Sequence, residues 1–288
     1  MKSIILKTIF IVACVLISKT SLAESTKATA RQLSILFPDN GVRPYSPKAT
    51  GYTQQTFFNA VLGSLLNVSE NYDLQPGLIS KFYWDFKESC YILELRKDLK
   101  FHNGRPVDAY DLEFSLIRPL IQKEQSWEKT LFENVVGVRE LTHPVNYRSG
   151  IVKGIQVVDS HRVKVRLKSP NPSFLFSLTR SGVSLVPKEE LKEDYVTWKK
   201  FPVGAGLFRV VDENVDGSKV TVESVKTLSD QERARRIIFM TKGNVQEADL
   251  LFGFVKNPEP EIFATEYNKT GLPKTTNFEI FFSNRFGT

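Results

Sequence analysis

Cysteine and histidine are scarce in this chain of 288 residues, which has two cysteines and three histidines. Cys14 lies in an N-terminal leader that we expect to be removed, so the mature chain keeps Cys90 alone and cannot form an intrachain disulfide. Its stability must therefore come from a buried core. The histidines, His102, His143 and His161, are spread along the sequence, which argues against a metal cluster or a catalytic triad.

Familiar catalytic and cofactor motifs are missing too. The sequence has no GxSxG elbow, no HExxH, no CxxC pair and no P-loop. Gly204-Ala205-Gly206 lacks the length of a dinucleotide-binding loop and predicts a tight turn instead. The sequence therefore predicts a protein that is not an enzyme and that holds no cofactor and no metal.

Repeats, low-complexity tracts and a strong charge bias are also lacking, which excludes solenoids and disordered linkers. The formal net charge is +7, and removal of Lys2, Lys7 and Lys19 with the leader lowers it by three. Acids and bases alternate, as in 188–194, and such a pattern is typical of a solvated face. We therefore expect no nucleic-acid partner.

The N-terminus has the layout of a secretory signal peptide. Lys2 and Lys7 precede the apolar run Ile9–Ile17, and a polar stretch then ends at Ala23. The run is far shorter than the roughly 20 residues of a membrane-spanning helix. We therefore expect cleavage near Ala23 and a periplasmic or otherwise exported protein. Lipidation at Cys14 is the minority alternative, because the apolar run continues past it.

The body of the chain predicts a mixture of strands and helices. Alternation predicts a strand at 31–37, followed by a loop, and helical spacing then predicts a helix at 53–66. Alternation also predicts a strand at 91–96 and a hairpin at 155–167. Further predicted strands are Leu207–Val211, Lys219–Ser224 and Arg236–Met240. Because the elements do not alternate strictly, the predicted class is α/β (mixed α+β), not a regular doubly wound sheet.

A second helix has a clear start. Asp108 is placed as its N-cap, and Asp111 completes an acidic first turn that suits the positive end of the helix dipole. The leucines at 112, 116 and 120 form the predicted buried stripe. Pro119 should kink this helix or end it early.

Four ordered segments resemble the extracellular solute-binding proteins of family 5. Residues 95–116, LRKDLKFHNGRPVDAYDLEFSL, resemble the signature of that family over more than twenty positions. Residues 74–82 resemble its PxLAxSW segment, 167–174 its LKxPNxxFL segment and 202–208 its PVGTGPY segment. The resemblance covers about residues 31–288.

This resemblance implies the first lobe of a periplasmic-binding-protein-like fold of the two-lobe type. Relatives are usually longer, so the chain is expected to be truncated, with the second lobe missing. The implied organisation is a signal peptide at 1–23 and the first strand and loop of the main lobe at 24–48. A family-specific subdomain follows at 49–178, and 179–288 return to the main lobe and begin the hinge.

The implied function is periplasmic binding of a solute, above all a peptide, for an ABC-type import system, without catalysis. The expected partners are an oligopeptide or other small solute, permease subunits of the transporter and a separately encoded second lobe. A truncated or repurposed lobe that acts as an interaction module, or as half of a split binding protein, is the alternative.

The resemblance also implies ligand-binding residues, in the loop after the first strand and in the glycine turn. They are Arg43, Pro44, Tyr45, Ser46, Val203, Gly204 and Ala205. Tyr45 either contacts a peptide or packs as a half-buried residue, and Arg43 either holds a carboxylate or is simply solvated. Backbone groups of Gly204 are expected to meet an extended ligand main chain. His102, beside a predicted turn, is interpreted as structural.

Overall fold

The computed structural model describes residues 32–37, 39, 41–49, 51–69, 71–122, 127–141, 145–226, 234–254, 267–270 and 278–283. The predicted signal peptide, the lipidation alternative at Cys14 and His143 lie outside these residues. The chain divides into two compact units. Unit 1 comprises Met1–Phe57 and Phe208–Thr288, and unit 2 comprises Phe58–Leu207. The family-based boundaries at 49 and 178 stay a prediction.

The helices and strands of the described residues follow one another along the chain without strict alternation. In chain order they are β1 (Gln32–Leu36), α1 (Gly51–Val61), β2 (Leu66–Val68), β3 (Leu74–Pro76), β4 (Ile79–Asp85), β5 (Cys90–Leu95), α2 (Ala109–Ile121), α3 (Trp127–Leu131), β6 (Ile155–Val157), β7 (Arg162–Val165), α4 (Phe174–Ser177), β8 (Phe208–Glu213), β9 (Lys219–Ser224), β10 (Arg236–Met240), β11 (Leu250–Phe254), β12 (Tyr267–Thr270) and β13 (Phe278–Ser283). None of these helices is long and apolar enough to cross a membrane.

Unit 1 is built on a mixed sheet in the order β12-β13-β11-β1-β10-β9-β8. β1 lies parallel to both β10 and β11, with Leu36 opposite Met240 and Leu251, whereas the remaining pairs are antiparallel. The predicted mixed class is therefore confirmed, as are the strands predicted at Lys219–Ser224 and Arg236–Met240.

Aromatic rings pack along the end of this sheet. The ring of Phe37 lies 6.0 Å from that of Phe239 and 5.2 Å from that of Phe252, centroid to centroid. Phe57, from α1, meets Phe239 edge-on at 5.1 Å. Phe37, Phe57 and Phe239 are almost fully buried, so these rings are part of the core of unit 1.

Unit 2 contains a two-stranded sheet, β2-β3, and a four-stranded antiparallel sheet in the order β4-β5-β7-β6. The predicted hairpin is confirmed, since β6 pairs with β7 and places Val157 opposite Val163. Leu93 and Leu95 of β5 are fully buried, as their alternation predicts. They share one hydrophobic core with the apolar side of α2.

The N-cap predicted at Asp108 is confirmed, and together with Asp111 it forms a capping box at the start of α2. The Asp108 side chain accepts hydrogen bonds from the N–H of Tyr110 (2.9 Å) and of Asp111 (3.1 Å), and the Asp111 carboxylate accepts from the N–H of Asp108 (3.0 Å). Of the two effects predicted for Pro119, a kink or an early end, the early end is wrong, because the helix continues to Ile121. Buried Leu120 and Ile121 anchor this last turn in the core.

The predicted helix at 53–66 begins at Gly51 and ends at Val61, five residues earlier than expected. Gly63 has φ +76°, a conformation that favours glycine, and its N–H donates to the carbonyl of Phe58 (3.3 Å). Leu65 and Leu66 keep the helical spacing but are buried outside the helix, and Leu66 begins β2. An apolar period alone could not mark this end.

Candidate functional site

The loop after β1 lies at the carboxyl ends of the parallel strands of unit 1. Thr241, directly after β10, donates from Oγ1 to the carbonyl of Val42 (2.6 Å), and its own carbonyl accepts from the N–H of Gly41 (3.1 Å). Open α/β sheets bind ligands outside the carboxyl ends of their strands. The position of this loop is therefore suited to ligand contact.

Arg43 and Tyr45, two of the predicted site residues, meet at Glu213. Arg43 Nε donates to Glu213 Oε1 at 2.6 Å, and the hydroxyl of Tyr45 donates to Oε2. Glu213 is the last residue of β8, and its side chain is 9% exposed, whereas that of Arg43 is 47% exposed. A nearly buried carboxylate thus binds an outward-facing guanidinium and a phenol, and both of its oxygens accept hydrogen bonds.

A glycine of the same hairpin sets the path of the Arg43 side chain. Gly217, in the turn between β8 and β9, has φ +75°, and a Cβ atom there would lie 2.4 Å from Cγ of Arg43. Any larger residue would therefore displace the arginine. The hairpin fixes Arg43 twice, through the carboxylate of Glu213 and through the space left at Gly217.

The protonation states of this cluster follow from its surroundings. Burial, assisted by the neighbouring Glu213 carboxylate, raises the pKa of the Tyr45 phenol well above its ordinary value. The hydrogen bond to Glu213 raises the pKa of the Arg43 guanidinium. Tyr45 is therefore neutral and Arg43 charged near neutral pH. The ring of Tyr45 also packs 5.6 Å from that of buried Phe57.

The other predicted residues of this loop are Pro44 and Ser46. Pro44 is buried. Ser46 Oγ accepts from the N–H of Lys48 (3.1 Å), and its carbonyl accepts from Nε2 of Gln54 in α1 (2.9 Å). These bonds define the backbone path of the loop.

Val203, Gly204 and Ala205 form the glycine turn of unit 2, pressed against the C-terminal end of α1. A Cβ atom on Gly204 would lie 2.4 Å from Cα of Leu62 and 2.5 Å from the carbonyl oxygen of Val61. Gly206 N–H donates to that Val61 carbonyl at 3.0 Å. The turn thus satisfies a carbonyl at the helix end that lacks an intrahelical partner.

His102 ties this turn to the signature segment. Its N–H donates to the Gly204 carbonyl (2.9 Å), and its ring Nε2 lies 3.0 Å from the Gly206 carbonyl. Because a carbonyl only accepts, Nε2 carries the proton, and Nδ1 is left to accept from the Gly204 N–H at 3.5 Å. These contacts give His102 a structural role. Within the described ranges, no group of three or more potential ligands is arranged to hold a metal.

Sequence reasoning missed two residues outside the predicted loop, Glu213 and Tyr52. Glu213 is 170 positions from Arg43 and lies in a stretch that reads as a turn, so no local pattern points to it. Tyr52, 45% exposed, packs 6.3 Å from the ring of Phe252 in β11. The position of Tyr52 at the start of α1 was its one available signal.

Fold and comparison together define a class of solute-binding proteins. The family model for bacterial extracellular solute-binding proteins, family 5 (middle), matches residues 73–270, more than half of the chain. The chain belongs to this family, which confirms the resemblance read from its four segments. Membership in a family of binding proteins also confirms that the chain is not an enzyme.

Individual relatives agree with this family. The periplasmic oligopeptide-binding protein OppA of Escherichia coli is 27% identical over 126 residues, which cover 43% of this chain and 22% of that protein. The dipeptide-binding protein DppE of Bacillus subtilis is 23% identical over 219 residues, covering 73% and 39%. The chain thus spans less than half the length of these relatives.

Solved structures support the same fold. OppA of Haemophilus influenzae in complex with the peptide RPPGFSPFR superposes with a TM-score of 0.62 at 18% identity, covering 84% of this chain and 50% of that chain. At this identity the match establishes the fold of about half of a periplasmic binding protein. The predicted fold class, the first lobe of the two-lobe type, is therefore confirmed.

Proposed function

We propose that this chain is the solute-binding component of an ABC-type import system and that its ligands are peptides. The observation that carries the proposal is the family match over residues 73–270. Two relatives are named for oligopeptide and dipeptide binding, which supports peptides as the ligand class. Binding without bond chemistry is consistent with the hinge closure of such proteins.

The proposed ligand contacts are the seven residues of the loop after β1 and of the glycine turn. In unit 1, Arg43 offers N–H donors and Tyr45 an aromatic face beside its hydroxyl. In unit 2, Val203 and Ala205 are partly exposed, whereas both backbone groups of Gly204 already contact His102. Val203 and Ala205 are therefore the more suitable positions for ligand contact in the turn.

Export and partners belong to the same proposal. Residues 1–23 would direct the chain out of the cytoplasm and be removed near Ala23, and permease subunits of the transporter would receive the loaded protein. A separately encoded second lobe would be a further partner. Mass analysis of the secreted protein would decide between cleavage near Ala23 and lipidation at Cys14.

The test is ligand-dependent stabilisation of the full chain. The probes are RPPGFSPFR and a set of alanine-based dipeptides and tripeptides, with thermal melting as the first readout and calorimetry as the second. A ligand present at about 100 times its Kd stabilises the folded state by roughly 2.7 kcal/mol, a shift of several degrees in Tm. Saturable binding would support the proposal.

Two variants make this test specific. Tyr45→Ala is expected to weaken binding, whereas Phe86→Ser, at a side chain 86% exposed in the turn between β4 and β5, should leave the affinity unchanged. Failure of every peptide to shift Tm or release heat would count against peptide binding by this chain.

A further inference from the structure

We infer that Glu213 determines ligand specificity in the proposed site: by neutralising Arg43, it makes the loop after β1 favour an uncharged hydrogen-bonding group over a carboxylate. The inference rests on the proposed function and names its ligand chemistry. It concerns unit 1 alone, because Arg43, Tyr45 and Glu213 all belong to that unit.

The carboxylate of Glu213 neutralises the positive charge of Arg43. Arg43 Nε lies only 2.6 Å from Glu213 Oε1. An anion that approaches the guanidinium therefore also approaches the carboxylate, and the repulsion largely offsets the attraction. Arg43 and Glu213 together carry no net charge. A ligand carboxylate therefore gains little here, although an arginine in a loop would otherwise attract one.

The carboxylate cannot easily move aside for a competing anion. Glu213 is nearly buried, and its second oxygen accepts from the hydroxyl of Tyr45. Turning the carboxylate away would break its hydrogen bond to the half-buried phenol of Tyr45, which costs about 1 kcal/mol. Because Gly217 has no side chain, the Arg43 side chain can lie directly against the same hairpin. The ion pair is thus part of the folded loop.

An uncharged amide suits what remains. Arg43 has N–H donors beyond Nε, and the phenolic oxygen of Tyr45 can accept while its proton is donated to Glu213. A peptide amide offers a carbonyl that accepts from Arg43 and an N–H that donates to the phenolic oxygen of Tyr45. The geometry therefore favours ligand main chain or an uncharged polar side chain at this loop.

The test compares Glu213→Gln, Arg43→Gln and the double variant with the wild type. The probes are alanine tripeptides that carry Glu, or its uncharged analogue Gln, at each position in turn, and calorimetry gives the ratio of their affinities. Glu213→Gln leaves Arg43 charged, so the preference should shift towards the Glu peptide at one position by up to about fivefold. Added salt should reduce this shift.

The other variants separate a charge effect from a loss of structure. Arg43→Gln leaves the carboxylate uncompensated and should shift the preference towards the Gln peptide. The double variant removes both charges and should return to the wild-type ratio. A general loosening of the loop would weaken both peptides alike and would not be reversed by a second substitution. An unchanged Glu-to-Gln ratio in Glu213→Gln would overturn the inference.

Inorganic phosphate keeps the inference testable if no tripeptide binds. In that case peptide binding fails, but Glu213→Gln should still show a phosphate-dependent rise in Tm that the wild type and the double variant lack. Equal responses of the three proteins to phosphate would overturn the inference on its own.

Discussion

The two candidate segments are held by different means. The loop after β1, residues 41–46, is fixed largely by side chains from distant parts of unit 1, above all Glu213 and Thr241. The glycine turn of unit 2, residues 203–205, is fixed by backbone packed so closely against the end of α1 that a Cβ atom does not fit at Gly204 or at the adjacent Gly206. Side-chain anchoring can be tuned by substitution, whereas backbone anchoring allows little change.

The difference predicts that the largest effects on stability lie in the glycine turn. A Cβ atom on Gly204 would lie 2.4 Å from Cα of Leu62. The clash is with backbone, so neither the glycine turn nor the end of α1 can move apart without a large cost in free energy. Gly204→Ala should therefore reduce the free energy of unfolding by about 3 kcal/mol or more. Urea denaturation followed by circular dichroism measures this loss.

Gly51→Ala is the matched control. Gly51 begins α1, and a Cβ atom there meets no heavy atom within 4 Å. Alanine is the better helix former, so this variant should be neutral or slightly more stable, by less than about 1 kcal/mol. If Gly204→Ala proves as harmless as Gly51→Ala, the turn is not anchored by backbone contact.

A side-chain anchor inside unit 2 sharpens the comparison. The fully buried Glu113 carboxylate accepts hydrogen bonds from the Tyr147 hydroxyl (3.1 Å), the Ser149 hydroxyl (2.6 Å) and the Gly150 N–H (2.8 Å). Glu113→Ala strips these donors of their acceptor and should cost about 2 to 3 kcal/mol. Thermal melting of the variant measures the loss.

Glu133→Ala controls for the loss of a carboxylate as such. Glu133 is half exposed and pairs with exposed Arg139 at 2.9 Å, an arrangement worth less than about 1 kcal/mol. Similar losses in Glu113→Ala and Glu133→Ala would mean that burial of the anchor has no consequence.

The Arg43–Glu213 pair should contribute less than the buried anchor of unit 2, because its arginine is half exposed. A double-mutant cycle with Arg43→Gln and Glu213→Gln should give a coupling energy of about 1 kcal/mol. Denaturant melts of the four proteins measure it. A coupling energy of zero would mean that the Arg43–Glu213 pair does not stabilise the loop, and Thr241 would then be its main contact.

The same division explains what the sequence could predict. Local chemistry predicted the N-cap at Asp108 and the alternating strands, because each of these depends on a few adjacent residues. The end of α1 was predicted too late, since Leu65 continues the apolar period while Gly63 ends the helix. Glu213 was missed because its partner, Arg43, is close only after the sheet of unit 1 has formed.

The smallest expected effect is a pH dependence to which one tyrosine of each unit contributes. Burial raises the pKa of Tyr45 in unit 1 and of Tyr147 in unit 2, each beside a glutamate. The folded protein thus holds these protons more tightly than the unfolded chain, so the stability is complete below about pH 10 and is lost as the pH rises further. At pH 10.5 the loss is at most about 0.8 kcal/mol for each tyrosine.

Tyr45→Phe and Tyr147→Phe should each flatten the decline in Tm between pH 8 and pH 10.5, whereas Tyr110→Phe, at an exposed position, should not. If Tyr147→Phe alone flattens the decline in Tm, the loop after β1 is open to water in solution. The Tyr45–Glu213 contact of unit 1 is then weaker than the Tyr147–Glu113 contact of unit 2.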